Sequence, residues 1–187
     1  MLLRFILESA DLTFNLKIMK ISKITFIVLV LALMPFMSQA QDYRIHSVFI
    51  YNFTKYIQWP SSDQGGDFVI GVLGNSPIVA NLEKLATERK VGSRAMVIKK
   101  FSSVDDISKC HMLFIPEGNS NDFDAALAKL SGQSTLVMTE RRGLGSKGSS
   151  INFVTVDGKQ KFELNKSATE KAQLKVSTEL TSLAIVI

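Results

Sequence analysis

"DFVIGVLGNSPIVANLEKLATERKVGSRAMVIKKF", residues 67–101, decides the fold. The run "DFVIGVLG" is continuously apolar and of strand length, which suits a central strand covered on both faces. Gly74 closes it. Ser76 is then a helix cap and Pro77 occupies the first helical position, where its missing N–H costs nothing. Ile78, Leu82 and Leu85 share one face of the helix that follows. "RAMVIKKF" is a second strand. A strand, a helix and a second strand within 35 residues form a parallel crossover unit.

The same alternation continues towards the carboxyl end. "SSVDDIS" predicts a short capped helix, "HMLFIPE" a third strand, "NDFDAALAKL" a helix and "STLVMTE" a fourth strand. The resulting order implies a largely parallel sheet flanked by helices on both faces, an α/β fold. "INFVTVDGKQKFELN" then departs from it, with two strand-like stretches around the turn pair Asp157-Gly158, an antiparallel hairpin. "KSATEKAQLKVSTELTSLA" forms a helical tail with a break near Ser177.

On the amino side, "SSDQGG" is a flexible connection. Before it, "DYRIHSVFIYNFTKYIQWP" places Ile45, Val48, Phe49, Phe53, Tyr56 and Ile57 at helical spacing, an amphipathic helix ending before Pro60. Asn52 falls within that apolar face. It is expected to fasten the helix to neighbouring backbone, the alternative being a place at the solvated edge of the stripe.

The first 40 residues read as a leader. Lys20 and Lys23 precede an apolar run over 24–37 and the small-residue ending Ser38-Gln39-Ala40, the pattern of a cleaved secretory signal whose start is Met19. Residues 41–187 are then one domain of 147 residues, with 18 basic and 15 acidic residues remaining. The basic residues are scattered, so no stripe advertises nucleic acid. One cysteine in an exported chain leaves stability to core packing rather than to disulfides.

Two further motifs invite chemistry. Gly143, Gly145 and Gly148 of "GLGSKG" satisfy G-x-G-x-x-G, but the loop leads into a strand instead of a helix, so a nucleotide site lacks its amino-terminal amides. A mobile loop at a sheet edge is the expectation. Cys110 and His111 are adjacent, yet in an extended chain they point to opposite sides and cannot form a nucleophile with its base. The only other histidine is His46, so no metal cluster assembles from local spacing, and no catalytic residue, cofactor or metal is predicted.

Taken together, "FIYNFTKYIQWP", "FVIGVLGNSP", "KCHMLFIPEG", "GSSINFV" and "KFELNKSATEKAQLKVSTELTSLA" closely resemble the YfiR family of small periplasmic regulators, over residues 44–184. The positions that carry the resemblance include Asn52, Phe53, Lys55, Trp59, Pro60, Gly74, Cys110, His111, Leu113 and Phe114. Gly148, Ile151, Asn152, Phe153, Phe162, Glu163 and Asn165 complete it. Asn52, Phe53, Lys55, Trp59, Pro60, Cys110 and His111 are read as structural.

The resemblance implies a periplasmic homodimer without enzymatic activity, which binds and restrains an inner-membrane signalling protein, a diguanylate cyclase or a sensor kinase, and so acts on cyclic-di-GMP. With Cys110 alone, the family's intramolecular disulfides do not carry over, and an intermolecular bridge stays open. A second function class is a periplasmic small-molecule sensor or solute receptor, paired with a histidine kinase. Its ligand would sit beyond the carboxyl ends of the parallel strands, at Gly74, Asn75 and Ser76 and at Pro116, Glu117 and Gly118. For a protein partner, the hairpin residues Ile151, Phe153, Phe162 and Glu163 are the candidate contact, the alternative being that they cover the core.

Overall fold

A computed structural model describes residues 35–187. The expected leader lies outside the described residues except for 35–40, which belong to helix α1, Pro35–Tyr56. The compact unit considered below runs Asp42–Ile187. It contains an eight-stranded sheet in the order β10-β8-β7-β6-β5-β2-β4-β3. The central strands are β2 (Phe68–Leu73), β4 (Arg94–Phe101), β5 (Met112–Ile115), β6 (Leu136–Thr139) and β7 (Ile151–Val156). All of them pair in parallel. β8 (Lys159–Leu164) returns antiparallel to β7, and β10 (Ile185–Val186) runs parallel to β8 at one edge. At the other edge β3 (Lys90–Val91) folds back on β4.

The two-residue period of the central strands sorts the core into two layers. Phe68, Ile70 and Val72 of β2, Met112 and Phe114 of β5, and Leu136 and Met138 of β6 face one side. There they meet Ile50 and Phe53 of α1, Leu82 of α2 (Ile78–Glu88) and Leu180 of α5 (Thr178–Leu183). Leu73, Leu113, Ile115 and Val137 face the other side, against Phe123 and Ala126 of α3 (Phe123–Lys129). The α/β architecture expected from the alternation is the one observed.

Local departures have local causes. α1 stops at Tyr56, because Ile57–Gln58 form a short strand β1 that pairs with β9, Lys175–Val176. That pairing also splits the tail, giving α4 (Lys166–Lys171) capped by Asn165 and α5 capped by Ser177, the position of the expected break. No helix forms in "SSVDDIS". Asp106 instead accepts from the backbone and hydroxyl of Ser103, a side chain competing with helical bonding. The hairpin turns at Asp157 (φ +52°) and Gly158 (φ +69°), the left-handed pair its sequence demands.

"SSDQGG" is not a loose connection. Ser61–Asp63 form a short 3-10 turn, and the Arg94 guanidinium gathers the carbonyls of Asp63, Gly65, Gly66 and Asp67 at 2.7–3.1 Å. "GLGSKG" is likewise not at a sheet edge. It joins the neighbouring interior strands β6 and β7, and Leu144 is buried in the α3-side core.

Candidate functional site

Two polar clusters occupy opposite ends of the sheet. The first lies at the carboxyl ends of the parallel strands, where ligands of open α/β sheets collect. The chain passes from β2 to β4 on one side and returns to β5 on the other, so the topological switch point lies between β2 and β5. Gly74, Asn75 and Ser76 follow β2; Pro116, Glu117 and Gly118 follow β5. At Gly74 (φ +74°) the Asn119 carboxamide packs against the backbone and occupies the place of a Cβ. Asn75, Glu117 and Gly118 are exposed, whereas Ser76 and Pro116 are buried.

A carboxylate that sequence reasoning missed ties these turns together. Glu140 follows β6, and its Oε1 accepts from the Tyr43 hydroxyl at 3.0 Å and from the Glu117 amide at 2.9 Å. Burial, and then the Glu140 charge, push the Tyr43 hydroxyl up to about 12, so it remains a donor. His46, one turn along α1, stacks on Phe153 at 4.2 Å and approaches Gln160 Oε1 at 3.2 Å through Nε2. Its buried Nδ1 makes no hydrogen bond, and Glu140 Oε2 stands 3.5 Å away. The carboxylate thus holds the Tyr43–His46 turn of α1 over the strand ends. No local spacing announces it, since Tyr43, Glu117 and Glu140 are distant in sequence.

The second cluster surrounds His111 at the amino ends of β5 and β6. The Val69 amide donates to His111 Nδ1 at 3.0 Å, so the proton of the neutral ring sits on Nε2, 2.9 Å from the Asp63 carbonyl. Arg94 Nη2 lies 2.7 Å from the same Nε2 and cannot donate to it in that tautomer. The ring stacks on Phe68, and Trp59 Nε1 donates to the His111 carbonyl at 3.1 Å. Burial is the main reason that His111 titrates below its ordinary value, and the neighbouring Arg94 adds to it. This imidazole is a structural acceptor with no free nitrogen for catalysis.

Cys110 points the other way, into the α3-side core; it shares that layer with Leu113 and not with Met112, because the chain bends at His111 before β5 begins. Burial pushes its thiol up to about 12, which removes the thiolate that nucleophilic or redox chemistry needs. Among the described residues, no group of three or more His, Cys, Asp or Glu is arranged to hold a metal.

The remaining candidates separate cleanly by burial. Phe53 packs edge-on against Phe162 at 5.1 Å. Pro60 is half-buried at the start of the turn. Asn52 does not fasten α1 to neighbouring backbone. It is half-buried at the stripe's edge, where Oδ1 accepts from Lys55 at 3.0 Å, because the core-facing turn is already filled by Ile50 and Phe53. Val48, placed on the apolar face by spacing, is 50% exposed.

Ile151, Phe153 and Phe162 are 0%, 2% and 3% exposed, so they do not form a partner patch; α1 covers them. Glu163 is half-buried, and its Oε2 accepts from Asn152 at 2.9 Å, an internal bond between β8 and β7. The exposed large apolar residues are elsewhere, at Val48, Leu183, Ile185, Val186 and Ile187.

No curated protein matches the chain. A family model described as YfiR/HmsC-like matches residues 43–185, from Tyr43 of the Glu140 cluster to the first residue of β10. That span takes in α1 from Tyr43 onward, the sheet up to Ile185 and both polar clusters, so the chain belongs to the YfiR/HmsC-like family.

Proposed function

We propose that this protein is a periplasmic regulator without enzymatic activity, which binds and restrains an inner-membrane signalling protein, with a diguanylate cyclase as its first candidate partner and a sensor kinase as the second. The observation that carries this reading is the family match across 43–185. Supporting it, the two residues that most invite chemistry, Cys110 and His111, are each committed to packing or backbone bonding. Export with cleavage after Ala40 fits the charged, apolar and small-residue order of the leader. The compact unit beginning at Asp42 supports the same boundary. Among the described residues no helix is long and apolar enough to cross a membrane. The regulator is read as a homodimer that meets its partner at the membrane surface. The solute-receptor reading is weaker, because the Asn119 carboxamide packs against Gly74 at the switch point, where a ligand would need room.

The test is to recover the tagged protein from detergent-solubilised envelopes and identify what accompanies it, while cyclic-di-GMP is measured with and without its gene. A membrane cyclase in the eluate and raised cyclic-di-GMP on deletion are expected. A kinase in its place moves the partner to the second candidate. Neither partner, with unchanged cyclic-di-GMP, overturns the reading.

A further inference from the structure

A cleft of about 560 Å³ opens at the amino ends of β6 and β7, between the end of α3, the glycine loop and α4. That volume lies in the range of small-molecule sites. Part of its wall is apolar, where the half-buried Leu127, Ala168 and Ala172 reach the cleft in front of the buried Leu130 and Val137. Hydroxyl and amide groups, among them Gln133, Ser146 and Ser167, make up most of the rest. The charged residues of the lining are Lys147 and Lys171, and no aspartate or glutamate is among them. Both lysines are exposed, and neither takes part in an ion pair among the described residues.

The arrangement follows from the fold. The chain leaves β6 at the opposite end of the sheet and must return to this end to enter β7 in parallel, so the loop carrying Ser146, Lys147 and Gly148 is delivered beside the end of α3. Gly148 adopts φ +114°, a conformation that L side chains rarely enter, and a Cβ there would meet Leu127 at 3.4 Å. Asn165 fixes the other wall. It caps α4 at the Ala168 amide (2.9 Å), and its Nδ2 donates to the Gly145 carbonyl at 2.9 Å. The glycine loop and α4 are thereby held together, with one lysine on each.

A short apolar wall beside two unpaired cations is complementary to a small organic anion with an apolar body. Such a ligand lays its hydrocarbon against Leu127, Ala168 and Ala172 and keeps its charged end at the lysines. A dinucleotide is a poor fit, since the glycines here open no helix. We propose that this cleft binds a small amphiphilic anion, a carboxylate or a phosphate monoester carrying a short apolar chain. The site is independent of the proposed partner reading, so its test is made on the isolated protein.

The probes are hexanoate, hexyl phosphate, hexylamine and inorganic phosphate, titrated calorimetrically against the wild type and a Lys147→Gln/Lys171→Gln variant. Both lysines are exposed, so the variant should melt with the wild type, and any change in affinity belongs to the cleft. Saturable binding of hexanoate or hexyl phosphate is expected, the tighter of the two identifying the headgroup. Binding should weaken at least about tenfold in the double variant, the loss of one charge-assisted contact or more. Hexylamine and inorganic phosphate should each bind at least about tenfold more weakly than the better anion, for want of the charge or of the chain. The proposal is overturned if neither anion binds, if hexylamine binds equally well, or if the double variant retains wild-type affinity. Inorganic phosphate binding as tightly as hexyl phosphate overturns the apolar part of the site.

Discussion

The titration of His111 ties folding to pH. Its Nδ1 must stay unprotonated to accept from Val69, and burial holds its titration below the ordinary value of 6.5. Between that value and the lower folded one, the unfolded chain binds a proton that the native chain refuses, so stability falls as pH falls through this window. Thermal unfolding from pH 7.5 to 5 should show the loss, and a His111→Phe variant should flatten it. The variant should also cost about 1–3 kcal/mol, because the buried Val69 amide loses its acceptor. Asp63 acts in a separate window. Its bond to Lys109 at 2.5 Å holds the carboxyl below 3.8, so its contribution is present above that value and disappears as pH falls through the folded one. Lys109→Ala should weaken this acid limb most and shrink the His111 limb only slightly, because the Lys109 charge is a minor contributor to the lowered His111 titration.

Cys110 makes the complementary case at the same scale. With its thiol pushed up to about 12 and packed in the core, it should resist thiol reagents in the folded protein and react only on unfolding. Cys110→Ser should cost about 1–3 kcal/mol, by placing a hydroxyl in the α3-side apolar core, and should leave regulation intact. Labelling in the native state at the rate of a free thiol, or loss of regulation in a stable Cys110→Ser protein, would return Cys110 to a redox role.

At the scale of elements, what was legible in the sequence was what local periodicity encodes. β2, α2, β4 and the hairpin each carry their own pattern of apolar spacing, caps or turn residues, and each formed where it was expected. What escaped was set by distant partners. Ile57 leaves the helix because Val176 is there to pair with it, and the connection after Pro60 is ordered because Arg94 reaches back to it. The Glu140 cluster was hidden for the same reason. For the hairpin aromatics partner contact and core both stayed open in the sequence, because alternation shows which residues share a face and not what covers that face; α1 covers this one. The turn after β2 gives a direct test of such long-range setting. Gly74→Ala would drive a methyl into Asn119 at a left-handed backbone position and should destabilise by more than 1 kcal/mol, roughly the strain of the backbone alone. Adding Asn119→Ala should recover the steric part and leave the backbone part. Full recovery would show that φ at Gly74 carries no cost, and no recovery would show that Asn119 yields freely.

For the whole molecule, the burial pattern relocates the surface through which a restrained partner could be held. Phe153 and Phe162 join α1 to the sheet, so an aspartate at either position should unfold the protein instead of releasing a partner. The exposed apolar residues Leu183, Ile185 and Val186 lie together at the end of the chain's fold, on α5 and the edge strand β10. An edge strand without lysine or proline to guard it is open to pairing, and three apolar side chains beside it supply anchors. If the proposed regulator grips its partner here, Leu183→Asp and Val186→Asp should leave thermal unfolding within about 0.5 kcal/mol of wild type, as exposed substitutions do. Each should nevertheless weaken the complex by about 2 kcal/mol or more, as the loss of an anchor does. The expected signature is therefore raised cyclic-di-GMP in cells that contain normal amounts of folded regulator, set against Phe153→Asp, where output rises only as folded protein disappears. Should Leu183→Asp and Val186→Asp be stable and leave output unchanged, the grip is not at this edge. The remaining exposed apolar residue on α1, Val48, then becomes the next position to charge.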